Sequence, residues 1–182
     1  MAESSERKLD LDIVRKTAAH LLSFLNPKDP FGKDLFDAVA RVTVTLTVEV
    51  IPWRIGHGRR IEILLIRRKP DESDPGVYHT PGTAIRCGEE IEEDTIPRLA
   101  KRELGKDCNF SDLRFVGNLN NVGEARGHFF SPVYTAQVTS EPANGEWWPI
   151  DSLPPVEDTV TDHSLRLWPM AIQAIQQDHS NG

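Results

Sequence analysis

The chain has 182 residues, 38% of them hydrophobic, which suffices for one well-buried core and is too short for two ordinary domains. Its net charge of -7 argues against nucleic acid or an anionic membrane as the main partner, since both need a basic footprint; only a local basic pocket is compatible with it. No apolar run approaches the ~20 residues of a membrane span, the opening MAESSERKLDLD is too charged for a secretory signal, and Cys87 and Cys108 match neither a disulfide framework nor a zinc spacing. A cytoplasmic protein with reduced thiols is expected.

Leu11, Val14, Ala18, Leu21, Leu22 and Leu25 recur at helical spacing and Asn26-Pro27 closes the run, so the first element is an amphipathic helix. Its apolar stripe fits either packing onto the rest of the chain or a homodimer interface. A shorter helix is expected over Asp34 to Ala40. Strict alternation from Val42 to Val50 predicts a strand with Val42, Val44, Leu46, Val48 and Val50 on the buried face and Thr43, Thr45, Thr47 and Glu49 on the other. A glycine-containing turn leads to a second strand, Ile61 to Ile66, which ends in Arg67-Arg68-Lys69-Pro70. Further on, Leu113 to Gly117 and Phe129 to Val138 read as strands separated by a mostly polar loop, Asn118 to His128. A last helix runs from about Asp162 to Gln177.

Between these strands lies YHTPGTAIRCGEEIEEDTIPRLAKRELG, from Tyr78 to Gly105. It resembles the Nudix box, G-x5-E-x7-R-E-U-x-E-E-x-G-U with U a bulky aliphatic, and the chain resembles the Nudix hydrolase superfamily beyond that stretch. The strand ending Leu64-Leu65-Ile66-Arg67-Arg68 with its aromatic-x-x-Pro-Gly sequel, Tyr78 to Gly82, and the late run Gly145-Glu146-Trp147-Trp148-Pro149-Ile150-Asp151-Ser152-Leu153-Pro154 are similar to the family's flanks. The resemblance implies an α/β fold, an alpha/beta/alpha sandwich around a mixed sheet, spanning about residues 40–178, with residues 1–39 as an N-terminal helical extension. It also implies magnesium or manganese, held by box glutamates against the diphosphate of a nucleotide-like substrate.

The box is degenerate. Arg98, Glu103 and Gly105 fall where the family has its arginine, last glutamate and glycine, whereas Leu99 and Arg102 stand where the other two glutamates belong. A unit-charge pair at ~5 Å is worth on the order of 3 kcal/mol at an effective dielectric of ~20, so a glutamate-to-arginine exchange turns attraction for a divalent ion into repulsion of roughly twice that size. Thr83 replaces the second glycine of the usual Pro-Gly-Gly, and Pro97 pushes the expected helix start to about Asp94, with that aspartate as N-cap.

Two readings follow. In the first, the chain is a hydrolase of a nucleoside-diphosphate-linked or related pyrophosphate: Glu103 is a metal ligand, substitutes come from Glu89, Glu90 and Glu93, and Glu124 joins Glu103 as a catalytic candidate, in a loop from which the resemblance implies a general base. In the second, it is a catalytically inactive binding or scaffold module for a nucleotide or protein partner, needing no metal, in which Arg102 clamps a diphosphate directly. Arg68, Arg98 and Arg102 are the substrate-binding candidates in both.

Overall fold

The computed structural model describes residues 10–70, 72, 74–124 and 126–180, with Glu124, His179 and Ser180 described in their backbone only. The elements in chain order are α1 (Leu11–Leu22), α2 (Lys33–Ala40), β1 (Val44–Ile55), β2 (Ile61–Arg67), β3 (Tyr78–His79), β4 (Gly82–Ala84), α3 (Ile96–Glu103), β5 (Phe110–Glu124), β6 (Gly127–Val138), β7 (Glu146–Pro149) and α4 (Trp168–Ser180). The sheet runs β3-β2-β1-β6-β5, with β4 also paired to β1 and β7 to β2. It is mixed, because β1 and β6 are parallel while the other pairs are antiparallel.

Helices cover both faces of this sheet. On one, Val48 and Val50 of β1 pack with Tyr134 and Ala136 of β6 against Ile96 and Leu99 of α3. On the other, Ile51, Ile63, Leu65 and Val133 pack against Leu167, Trp168, Ala171 and Ile175 of the C-terminal helix. The architecture is therefore the expected alpha/beta/alpha sandwich around a mixed sheet. No helix among the described residues is long and apolar enough to cross a membrane.

Several local expectations are corrected. Only the later half of the apolar stripe is covered: Val48 and Val50 of β1 are buried, but Val44 and Leu46 of that strand and Val42 just before it are exposed. The polar stretch from Asn118 is not a loop. It pairs with β6 from Asn118↔Pro132 to Asn121↔Phe129, and β-bulges in the hairpin re-aim its side chains. Helix α1 is capped by Asp10, whose carboxylate accepts from the Asp12 and Ile13 amides, yet it buries none of its residues, so the described residues show no packing of this helix onto its own domain.

The regular box helix begins at Ile96, two residues later than expected, because a π-helical turn precedes it. Residues Ile91–Thr95 form a π-helical turn in which the amide of Ile96 donates to the carbonyl of Ile91, five residues back. Asp94 is not the N-cap; Glu90 occupies that position and its amide donates to Asp94 Oδ2 at 3.0 Å. The wide turn absorbs the one extra residue between Glu89 and Arg98 and leaves room for Pro97, which has no amide to donate and would collide with the preceding turn of a regular helix. The same device recurs at His163–Leu167, where Trp168 N–H donates to His163 and Pro169 follows.

Candidate functional site: an arginine-lined cleft

A cleft of about 710 Å³ opens beside β1, lined among others by Thr47 and Glu49 of that strand, Arg68, His79, Gly82, Thr83, and Arg98, Arg102 and Glu103 of α3. Thr45, Thr47 and Glu49, the polar side of the alternating run, thus form part of a binding floor rather than a plain solvent face. Thr47 Oγ1 lies 2.5 Å from Ser131 Oγ on β6, so the floor is polar and internally bonded.

Gly82 makes the close approach possible. A β-carbon on it would stand 2.4 Å from Glu49 Oε1, so a side chain here would make that carboxylate move. Thr80 Oγ1 donates to Glu49 Oε2 at 3.0 Å, and the hydroxyl and amide of Thr80 lie 3.0 and 3.3 Å from His163 Nδ1. The imidazoles of His79 and His163 lie 6.2 Å apart. Burial pushes His79 down to about 4, with the charge of Arg68 adding to the effect. Burial, then His79 and Arg68, push His163 down to about 3. Both rings are neutral at physiological pH.

The two arginines of α3 differ in role. Arg98 donates to both oxygens of Glu89 (2.7 and 2.6 Å), to the Ala84 carbonyl (2.9 Å) and to Thr83 Oγ1 (3.2 Å), so it staples the loop to the helix. Arg102 donates from Nε to Glu103 Oε1 (2.6 Å), from Nη1 to Thr83 Oγ1 (3.1 Å) and from Nη2 to the Gly82 carbonyl (3.2 Å). A guanidinium has five N–H groups, so Arg102 keeps two without a partner among the described residues, on a side chain 48% exposed in the cleft. Thr83, where a second glycine was expected, is the shared acceptor that aligns both arginines.

The NUDIX domain family model matches residues 45–168, more than half of the chain. The chain belongs to the Nudix family. Solved structures share the fold at low identity. The NUDIX domain of NrtR from Shewanella oneidensis, complexed with ADP ribose, is 20% identical, with a TM-score of 0.54 over 86% of this chain and 97% of that one. The MutT NUDIX hydrolase from Burkholderia pseudomallei is 23% identical, with a TM-score of 0.55 over 69% and 95%. NrtR complexed with a 27mer DNA is 21% identical, with a TM-score of 0.56 over 72% of this chain and 62% of that chain. No curated protein sequence matches.

Within this Nudix domain the acidic candidates do not gather. Glu89 is committed to Arg98, whose bonds hold its carboxyl down at about 2. Glu90 and Glu93 are exposed and outside the cleft; burial first, then Glu92 and least Glu93 push the Tyr134 hydroxyl up on the sheet's α3 side. Glu103 is in the cleft but bonded to Arg102. Leu99 is fully buried in the core cluster. The side chain of Glu124 lies outside the described residues. No group of three or more His, Cys, Asp or Glu side chains that could hold a metal exists among the described residues. The magnesium or manganese that the family implies therefore does not fit the donor set seen here.

Of the candidate arginines, Arg68, Arg98 and Arg102 all line the cleft. Arg67 turns away, over the Tyr78 ring at 4.0 Å and bonded to Glu146. Sequence reasoning missed Glu49, Thr80 and His163 as site residues. Glu49 was legible as the lone carboxylate on a threonine face; His163, far along the chain, had no local signal.

Proposed function

We propose that this chain is a Nudix domain that binds the diphosphate of a nucleotide-like ligand through guanidinium groups, without a metal cluster. The observation that carries the reading is Arg102: it stands where the box has a glutamate, lines the cleft, and is held there by Thr83, Gly82 and Glu103 with two of its N–H groups unused among the described residues. A planar guanidinium supplies charge and paired donors to phosphate oxygens, which replaces a cation for binding but cannot activate water as a bound metal does. Arg68 lines the same cleft. The ADP ribose bound by the NrtR Nudix domain supports a nucleoside-diphosphate-linked ligand.

The test is calorimetry with inorganic pyrophosphate, with and without magnesium, on wild type and Arg102→Gln. Metal-independent binding that Arg102→Gln weakens at least tenfold is the expected result. Binding that strictly requires magnesium would overturn it.

Pyrophosphate hydrolysis is the second reading, favoured by two carboxylates that line the cleft, Glu49 and Glu103. Turnover across a nucleotide panel with magnesium or manganese, abolished by Glu103→Gln, would establish it in place of the first.

A further inference from the structure

We propose that helix α1 docks on a second copy of this chain, in an apolar slot that the sheet leaves open beside α3, and that two copies exchange these helices about a two-fold axis. The interface is independent of the diphosphate reading above.

The slot lies on the sheet face that carries α3. Strand alternation puts Val44, Leu46, Val48 and Val50 on one side of β1, and the pairings Leu46↔Phe130, Val50↔Tyr134 and Phe115↔Tyr134 extend that face across β6 to β5. Helix α3 packs on Val48, Val50 and Tyr134 through Ile96 and Leu99. On the same face Val44, Leu46 and Phe115 remain 53, 52 and 50% exposed, and Phe130 between them is only half-buried. Helix α1 has the complementary deficit: Leu11, Val14, Leu21 and Leu22 form its stripe, and none of its residues is buried. An uncovered apolar helix and an uncovered apolar sheet face on one chain mark an interaction surface whose two halves are always present together.

The helix of the same chain is tethered on the wrong side to fill the slot. The segment that follows α1 is seated on the opposite face of the sheet: the Phe36 ring lies 6.5 Å from that of Phe129, and a β-carbon on Gly127 would stand 2.1 Å from the Ala40 carbonyl oxygen. Phe129 pairs with Thr45, so it faces away from Val44 and Leu46. A second copy carries no such tether. Charge favours it as well, because Arg15 borders the stripe beside Val14, while Glu92 and Glu93, both exposed, stand at Tyr134 on the α3 side of the sheet, with Glu92 bonded to the Tyr134 hydroxyl. Two-fold exchange makes the contact reciprocal. Both helices and both slots are then covered, and the buried area doubles towards the roughly 1,200–2,000 Å² of a specific interface.

The experiment is sedimentation of the full chain from micromolar to near-millimolar concentration, with circular dichroism as the check that each variant folds. Wild type is expected to dimerise. Leu21→Glu on the stripe and Val44→Glu in the slot are each expected to weaken the dimer at least tenfold, whereas Ile13→Glu, on the other side of α1, leaves it intact. Arg15→Glu and Glu92→Lys each set like charges against one another in both contacts, so each alone is expected to dimerise several-fold more weakly. Mixed in equal amounts they are expected to regain the wild-type affinity, because the heterodimer pairs opposite charges in both contacts. A wild type that stays monomeric throughout overturns the proposal, whether its own chain or a different protein covers α1. A dimer that survives Leu21→Glu or Val44→Glu, or a mixture that regains nothing, overturns it equally.

Discussion

Both carboxylate oxygens of Glu89 accept from Arg98, nine residues further along the chain, at 2.7 Å from Nε and 2.6 Å from Nη2. The pair closes the box loop onto the helix, and the Glu89 side chain is only 16% exposed. Glu89→Gln is expected to destabilise the protein by about 1.5–3 kcal/mol at neutral pH, the range for a hydrogen bond to a charged group. Because the folded carboxyl sits at about 2, below its ordinary 4.5, this contribution is complete above about pH 4.5 and is lost as pH falls towards 2. Denaturant unfolding of both proteins across that range checks it; a difference that does not shrink with acid refutes the assignment.

The neutral histidine pair predicts a second acid sensitivity at higher pH. The folded values of about 4 for His79 and about 3 for His163 lie below the ordinary 6.5, so the unfolded chain takes up protons that the folded chain does not. Stability is therefore full above pH 6.5 and falls as pH drops from there, with a slope of about 1.4 kcal/mol per pH unit for each histidine. His163→Gln is expected to reduce that slope between pH 6 and 4.5. An unchanged slope would remove His163 from the account.

At Leu99, where the box has a metal-binding glutamate, the side chain is fully buried among Val48, Val50 and Ile96. Leu99→Ala is expected to cost about 2–5 kcal/mol through the cavity left behind. Leu99→Glu should be worse, since it buries a charge with no partner, and so restoring the box residue should unfold the chain rather than create a metal site. Thermal melts of the two variants measure this.

Gly82→Ala places a methyl group against the Glu49 carboxylate, with its carbon 2.4 Å from Oε1. The clash is expected to displace the Glu49 carboxylate, the flexible end of its side chain, with little loss of stability. Loss of pyrophosphate binding in Gly82→Ala, with regain in the double variant Gly82→Ala/Glu49→Ala, would show that the approach of loop to strand shapes the cleft.

Helix α1 leaves Leu11, Ile13 and Leu21 more than 60% exposed and buries nothing. Deletion through Leu22 is accordingly expected to change the unfolding free energy of the monomer by less than about 0.5 kcal/mol. A larger loss that depends on protein concentration would instead report the proposed homodimer.

The sequence by itself determined the family, the sandwich and the order of its elements, because box, run-up and late tryptophan stretch are local patterns and apolar periodicity is read residue by residue. It also determined the loss of two box glutamates, since Leu99 and Arg102 are identities. What the tertiary structure decided is which groups meet. The π turn before Pro97 set the register that joins Arg98 to Glu89, and Thr83 became the acceptor for two arginines only because β4 lies beside α3. Glu49, Thr80 and His163 converge from positions far apart in the chain, and the segment before the family match became a cleft wall through its contact with Gly127. Such meetings depend on long-range packing and close backbone approach, to which short-range sequence pattern is blind.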